Sequence, residues 1–311
     1  MNSQIKKINL NHSFIFFLFC NVFSVLVFKF TNLNISTLFC FLLILTIGVS
    51  HGALDHLKGK KLLTILNIKK FYIFYLIYIL LALSVILVWT IVPAITLIVF
   101  LAVASFHFGK EDTQFLINKN SNLISILYFF RGILIIITPL YFNFDETVTI
   151  FKMLLINSEQ FYSSLGFIEK YKIIEIAIGL SALSSIILFL REFNIEKFAI
   201  FLDFFSIIIL NYYLSPLVAF TIYFCFLHSI RHTISLAIEM DSSNLKNGLK
   251  LFAQKAFPLT VLTAIFSVLG LYFLYNVYEL NSAILKIIFI GLASLTFPHI
   301  LLEYFLEKNE K

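Results

Sequence analysis

An all-α, polytopic transmembrane helix bundle of about ten spans is the fold this sequence predicts, and three observations predict it. Of the 311 residues, 60% are hydrophobic and 13% charged, whereas water-soluble domains carry about 45–50% apolar and about 25% charged residues. Mean hydropathy is +0.96. The apolar residues fall in ten separate runs, most of them near the ~20 residues that a spanning helix needs. The connections are short and no long polar block is left over for a second domain. The chain therefore reads as one integral membrane domain over residues 1–311.

Taken in order, the first run, Phe14 to Phe30, follows Lys6 and Lys7 and imitates a secretory signal, but it has no small-x-small cleavage site and nine more runs follow it. It reads as a retained span at about 14–31. The others are expected at roughly 35–57, 71–88, 91–109, 122–141, 174–190, 197–214, 216–237, 251–275 and 283–305. Tight hairpins should part the third and fourth near Trp89 to Pro93, and the seventh and eighth at Asn211 to Ser215. The stretch 142–173 is the one sizeable loop. Its Val148, Phe151, Met153, Leu154 and Leu155, with Lys152 and Glu159, suit a short interfacial helix. Cys20, Cys40 and Cys225 lie inside apolar runs and offer packing rather than a disulfide framework.

The net charge of +6 does not indicate nucleic acid, because the basic residues sit in short loops between spans, where they orient a membrane protein. With a cytoplasmic N-terminus, sixteen basic residues fall on the inside, against Lys29, Lys152, Lys170, Lys172 and Lys286 outside, while Arg131 and Arg231 lie within spans. The expected location is the inner cell membrane, crossed many times, with the N-terminus cytoplasmic.

Six histidines, His51, His56, His107, His228, His232 and His299, fall in or at the ends of spans, where a polar group is costly and marks function by default. His51 is on the second span, His107 on the fourth, His228 and His232 on the eighth and His299 on the tenth. Each of these spans carries a histidine about 16 residues from its start, or roughly 24 Å at the helical rise, so the imidazoles should meet at one level in the cytoplasmic half. His228 and His232, four apart, form a two-ligand clamp on one helix face. With His51 and His107 they make a four-imidazole set that suits Fe, Zn, Cu or Ni rather than Mg or Ca. His56 ranks lower, since it sits about 140° around the helix from His51.

Carboxylates repeat the spacing. Asp55, Glu111 and Glu303 each follow a histidine by four residues, and acids so placed suit the second N–H of a ligating imidazole. The alternative for Glu111 is solvation with Lys110 and Asp112 at the membrane edge. Arg231, beside the clamp, needs a partner in the span, either Asp55 or Glu303, or else it steadies an oxygen-derived anion; Arg131 and Asp203 read as structural polar contacts. Small residues surround the histidines, among them Gly48, Gly52, Ala104, Ser105, Gly109 and Gly291, and permit close helix approach.

The motifs Gly48-Val49-Ser50-His51-Gly52-Ala53-Leu54-Asp55-His56, Ser105-Phe106-His107-Phe108-Gly109, His228-Ser229-Ile230-Arg231-His232 and Pro298-His299, in this order, resemble the Brp/Blh family of membrane β-carotene 15,15'-dioxygenases. The resemblance covers about residues 40–305. It implies a non-haem Fe(2+) enzyme that splits the central double bond of β-carotene with O2 into two molecules of all-trans-retinal, linked in function to a microbial rhodopsin. By motif, the iron ligands are His51, His107, His228 and His232. His299 is a further site residue with its role open, and Asp55, Glu111, Arg231 and Glu303 are site-adjacent.

Three rivals stand beside this reading. A di-iron desaturase or hydroxylase needs two metals' worth of ligands, more than six intramembrane histidines supply. A metal-ion or proton transporter needs polar groups in both halves of the bilayer, whereas the odd-numbered spans and the outer half are almost bare. A structural or opsin-chaperoning membrane protein would not depend on its histidines.

Overall fold

The computed structural model of the chain describes residues 3–29, 35–117, 121–191 and 193–309, and among them it is helical with no strand. The helices are α1 (Ser3–Lys29), α2 (Thr37–Leu43), α3 (Asp55–Ile65), α4 (Tyr72–Ile91), α5 (Pro93–Glu111), α6 (Asn122–Phe142), α7 (Phe144–Met153), α8 (Glu159–Lys170), α9 (Ile173–Leu190), α10 (Phe198–Tyr213), α11 (Pro216–Ile222), α12 (Ile230–Met240), α13 (Leu245–Tyr275) and α14 (Leu280–Asn309). Two spans are composite. A π-helical segment, Ile44–Gly48, and a 3-10 segment, Val49–Leu54, join α2 to α3, and a second π segment, Tyr223–Ser229, joins α11 to α12.

Nine helical stretches among the described residues are long and apolar enough to cross a membrane. The seventh expected span is also a helix, α10, but it has only 16 residues, about 24 Å of rise. The outer surface is apolar: on α4 Ile77, Leu80 and Leu87, and on α13 Phe257, Phe266 and Phe273, are all at least half exposed. That is the coat of an integral membrane protein, since water would not tolerate so large an apolar patch.

The breaks between helices follow from local chemistry. Pro93 and Pro216 stand in the first turns of α5 and α11, where a missing N–H costs nothing. Ser36, Ser121 and Ser158 cap α2, α6 and α8 by accepting from backbone N–H groups, which satisfies donors the helix leaves unpaired. Val92 alone separates α4 from α5, and Thr96 Oγ1 donates back to its carbonyl at 2.9 Å. At the other hairpin, Asn143 Nδ2 donates to the carbonyls of Asn211 and Leu214 at 2.9 and 3.3 Å.

Stretch 142–173 differs from the single interfacial helix expected. It forms two helices, and α7 turns Ile150 and Phe151 into the core. Trp89 Nε1 donates to Leu154 O at 3.0 Å and Lys286 Nζ to Met153 O at 2.5 Å, so α7 closes one end of the bundle. The loop's carbonyls draw it inward by accepting hydrogen bonds that would otherwise be missing in lipid.

Backbone contact sets the position of α5, which carries His107. A Cβ on Gly109 would lie 1.8 Å from Tyr128 O, and one on Gly132 would lie 1.8 Å from Ser105 O. The two glycines thus let α5 and α6 touch along their backbones, as close-packed membrane helices do. Gly48 makes similar room for the Phe224 ring, whereas a Cβ on Gly52 would meet nothing within 4 Å. Helix α14 packs against α2, α3, α4, α5, α7 and α13 and so presents His299 to the middle of the bundle.

Candidate metal centre

The structure brings His107 of α5, His228 of the second π segment, His232 of α12 and His299 of α14 together. Ring centroids are 5.4 Å apart for His107 and His228, 5.3 Å for His107 and His299, and 5.9 Å for His232 and His299. All four are buried, none more than 8% exposed. The side chain of His51 lies outside the described residues, and its backbone belongs to the 3-10 segment Val49–Leu54. Both composite spans therefore depart from α geometry where they carry histidines, and π segments recur at functional sites because they re-aim side chains.

Three of the four imidazoles donate from Nδ1 to a carboxylate. His299 donates to Asp55 at 2.8 and 2.9 Å to its two oxygens, His228 to Asp112 at 3.1 Å, and His232 to Glu111 at 3.1 Å. His107 Nδ1 lies 3.8 Å from Glu303 Oε2. A carboxylate on Nδ1 fixes the tautomer and makes Nε2 the ligating nitrogen. Donor atoms of His107, His299 and Glu303 lie within 4.8 Å of one another, as do those of Glu111, His232 and Glu303, spacings one cation can bridge.

The pairing corrects the sequence pattern in one respect. The acids four residues after a histidine face the same way as it does, yet Asp55 serves His299 and Glu111 serves His232. Glu303 lies near its own-helix histidine, with His299 Nε2 at 3.6 Å. Partnership is decided by which helices adjoin, and each crossed pair ties two helices together. Glu111 is accordingly not merely solvated beside Lys110: it also accepts from Gln114 Nε2 at 2.6 Å.

Asp112, read from sequence as a membrane-edge acid, is 5% exposed. Beyond His228 it accepts from Tyr223 OH at 2.6 Å. The available signal was its place five residues after His107, one helical step past Glu111 and turned toward a different neighbour. Tyr78, also unread, donates to Asp55 Oδ2 at 2.8 Å, and Lys58 donates to Glu303 Oε1 at 2.6 Å.

Arg231 pairs with neither Asp55 nor Glu303. Its guanidinium forks onto Asp203 at 2.8 and 3.2 Å and reaches Ser13 Oγ at 2.7 Å. One N–H also holds the Asp112 carbonyl at 2.9 Å, so Arg231 positions the segment that carries Asp112 from behind. An arginine in lipid needs a buried counter-charge, and α10, packed beside α1, supplies Asp203. His56 donates from Nδ1 to Ala53 O at 2.9 Å.

A cavity of about 290 Å³ abuts the imidazoles, with His107, His228, His299, His56 and Asp55 at its polar side. The remaining wall is apolar and includes Phe108, Phe224, Leu259, Leu262, Phe266 and Leu295. Ile79 of α4 and Leu262 and Phe266 of α13 line it and are 56%, 46% and 64% exposed, so it opens sideways between those two helices.

The profile of a family described as Beta-carotene 15,15'-dioxygenase matches residues 42–307. A protein of that name from Uncultured marine bacterium 66A03 is 29% identical over 270 residues, spanning 84% of this chain and 90% of the relative. No solved structure matches the chain. Because the match runs through every segment that supplies the histidines and their acids, the chain belongs to the Beta-carotene 15,15'-dioxygenase family of oxygenases.

Proposed function

We propose that this protein cleaves the central 15,15' double bond of β-carotene with O2, giving two molecules of all-trans-retinal at a single Fe(2+) held by His51, His107, His228 and His232, with His299 at the same centre. The observation that carries the reading is the set of four buried imidazoles, three of them donating from Nδ1 to a carboxylate, with His107, His228 and His299 on the wall of an apolar cavity that opens sideways. The donor set fits the metal: neutral imidazoles suit iron, and a hard all-oxygen site for Mg or Ca does not result. Charge fits as well. Asp55, Glu111, Asp112 and Glu303 crowd the cluster and Lys58 offsets one of them, so a divalent cation offsets more of a burden that is costly in lipid.

When bound, ferrous iron supplies the redox chemistry by which O2 reacts with a closed-shell polyene. The balance needs no further reductant: one C=C breaks, two C=O form, and both oxygen atoms end in aldehydes. The chain's own residues orient and exclude. Asp55, Asp112 and Glu111 hold their imidazoles in one tautomer and direction. Phe108, Phe224 and Leu295 keep water from the reacting carbons. The opening between α4 and α13 admits a hydrocarbon dissolved in the bilayer, and the cavity wall places one bond against the imidazoles.

The protein is set in the inner membrane with its N-terminus cytoplasmic, and the retinal it makes serves a microbial rhodopsin. Expression in cells that accumulate β-carotene tests the reading. The expected result is loss of orange colour with retinal formed; metal uptake by proteoliposomes with β-carotene unchanged would instead indicate a transporter.

A further inference from the structure

Helix α1 lies outside residues 42–307, which carry the family match, yet one of its faces is polar and turned into the bundle. Asn9, Ser13 and Ser24 are buried along it with Phe16 and Cys20, whereas Phe14, Ile15, Leu18 and Val22 are exposed. Steps of three and four residues make the buried set a single stripe. Polar groups between spans are costly unless they hold something.

Two consecutive residues of α1 hold the stretch of chain that carries His228. His12 Nε2 donates to Phe226 O at 2.9 Å, and Ser13 Oγ accepts from Arg231 at 2.7 Å. Phe226 stands two residues before His228 and Arg231 three after it. The Phe226 ring also meets Phe19 of α1, with centroids 6.1 Å apart. Farther along, Ser229 Oγ donates to Gly48 O at 3.1 Å, which ties the same stretch to the segment leading to His51.

This stretch needs outside support because Tyr223–Ser229 is π-helical and α12 after it is not. The wider π turn falls out of step with the α turns around it. Carbonyls that a change of register leaves short of an amide find no water inside a membrane, and His12 provides Phe226 with a donor from another helix. A return to α register would turn His228 by about 100°, the rotation of one residue, away from Asp112 and the other imidazoles.

We infer that α1 is part of the frame of the metal site, and that His12, through the Phe226 carbonyl, is a positioning residue for His228. Ser13 acts on the same imidazole by a second route. It holds Arg231, Arg231 holds the Asp112 carbonyl, and the Asp112 carboxylate accepts from His228 Nδ1. His228 is thus fixed from its backbone and from its carboxylate by neighbouring residues of one helix.

This role for His12 rests on the metal of the proposed function, and the test separates the two. Wild type, His12→Leu, His12→Gln and Phe16→Ala are purified in detergent. Melting temperature, iron affinity against a competing chelator and the visible spectrum of the cobalt(II)-loaded protein are measured for each, cobalt standing next to iron in its ligand preferences. His12→Leu keeps bulk and removes the donor; it is expected to lose about 10–100-fold in iron affinity, the range for groups that act through a ligand's support, and to shift the cobalt bands. His12→Gln, whose amide can donate to the same carbonyl, should recover most of both. Phe16→Ala opens a cavity under α1 and should lower the melting temperature while keeping wild-type affinity and spectrum. A His12→Leu with the iron affinity and cobalt spectrum of wild type overturns the inference. So does a Phe16→Ala that loses as much affinity, because loosening α1 would then suffice. Should His12→Leu not fold, Ser13→Ala takes its place with the same expectation and the same overturning result. A wild type that binds neither metal would instead sink the proposed function.

Discussion

Asp55 and His299 lie 244 positions apart, yet both carboxylate oxygens are within 2.9 Å of the imidazole Nδ1. The pair joins the end of a 3-10 segment to the middle of α14, and Tyr78 from α4 braces the same carboxylate. One acid thus fixes a ligand-grade imidazole and three stretches of chain. Asp55→Asn is expected to fold and to lose about 10–100-fold in iron affinity, the usual effect of removing a ligand's carboxylate partner. Iron titration against a competing chelator measures it.

His299 shares with His228 and His232 the arrangement of a buried ring with a carboxylate on Nδ1. His299→Ala is therefore expected to lower bound iron as severely as His228→Ala does. Elemental analysis of the two variants, purified side by side, checks this; full iron content in His299→Ala would restrict its role to orientation.

The Arg231–Asp203 pair is buried on both sides, at 2% and 1% side-chain exposure. Asp203→Asn leaves an arginine without its counter-charge, and stability should fall by about 3–5 kcal/mol. Thermal unfolding in detergent reads the loss. Because Arg231 also holds the Asp112 carbonyl, weaker iron binding should accompany it.

Gly109→Ala places a methyl 1.8 Å from Tyr128 O, whereas Gly52→Ala places one in open space. The first should cost ~1–3 kcal/mol through overpacking, and the second should leave stability unchanged. A comparison of the two melting temperatures measures the difference.

The helices were legible because a bilayer imposes a length and a composition on every span, and both can be counted in a sequence. The meeting of His107, His228, His232 and His299 was legible for a related reason: three spans crossing in one direction place equal offsets at equal depth. Partnerships were not. Asp55, Glu111 and Glu303 stand at helical spacing from histidines on their own helices, and nothing local indicates that α14 adjoins α3 or that α12 adjoins the end of α5. Asp112 looked like a solvated acid because Lys110 and Glu111 precede it. Arg231 found Asp203 because α10 and α12 both border α1, a neighbourhood no linear pattern encodes. The π segments left no trace either, since Tyr223–Ser229 reads as ordinary apolar helix.

The central claim is that one ferrous ion sits in the histidine cluster. It is tested most directly by the iron-to-chain ratio of purified protein, wild type against His107→Ala, since His107 lies within 5.4 Å of two other imidazoles. The expected ratio is near one for the wild type and near zero for the variant. A wild-type ratio near two, or a ratio in His107→Ala equal to that of the wild type, would contradict it.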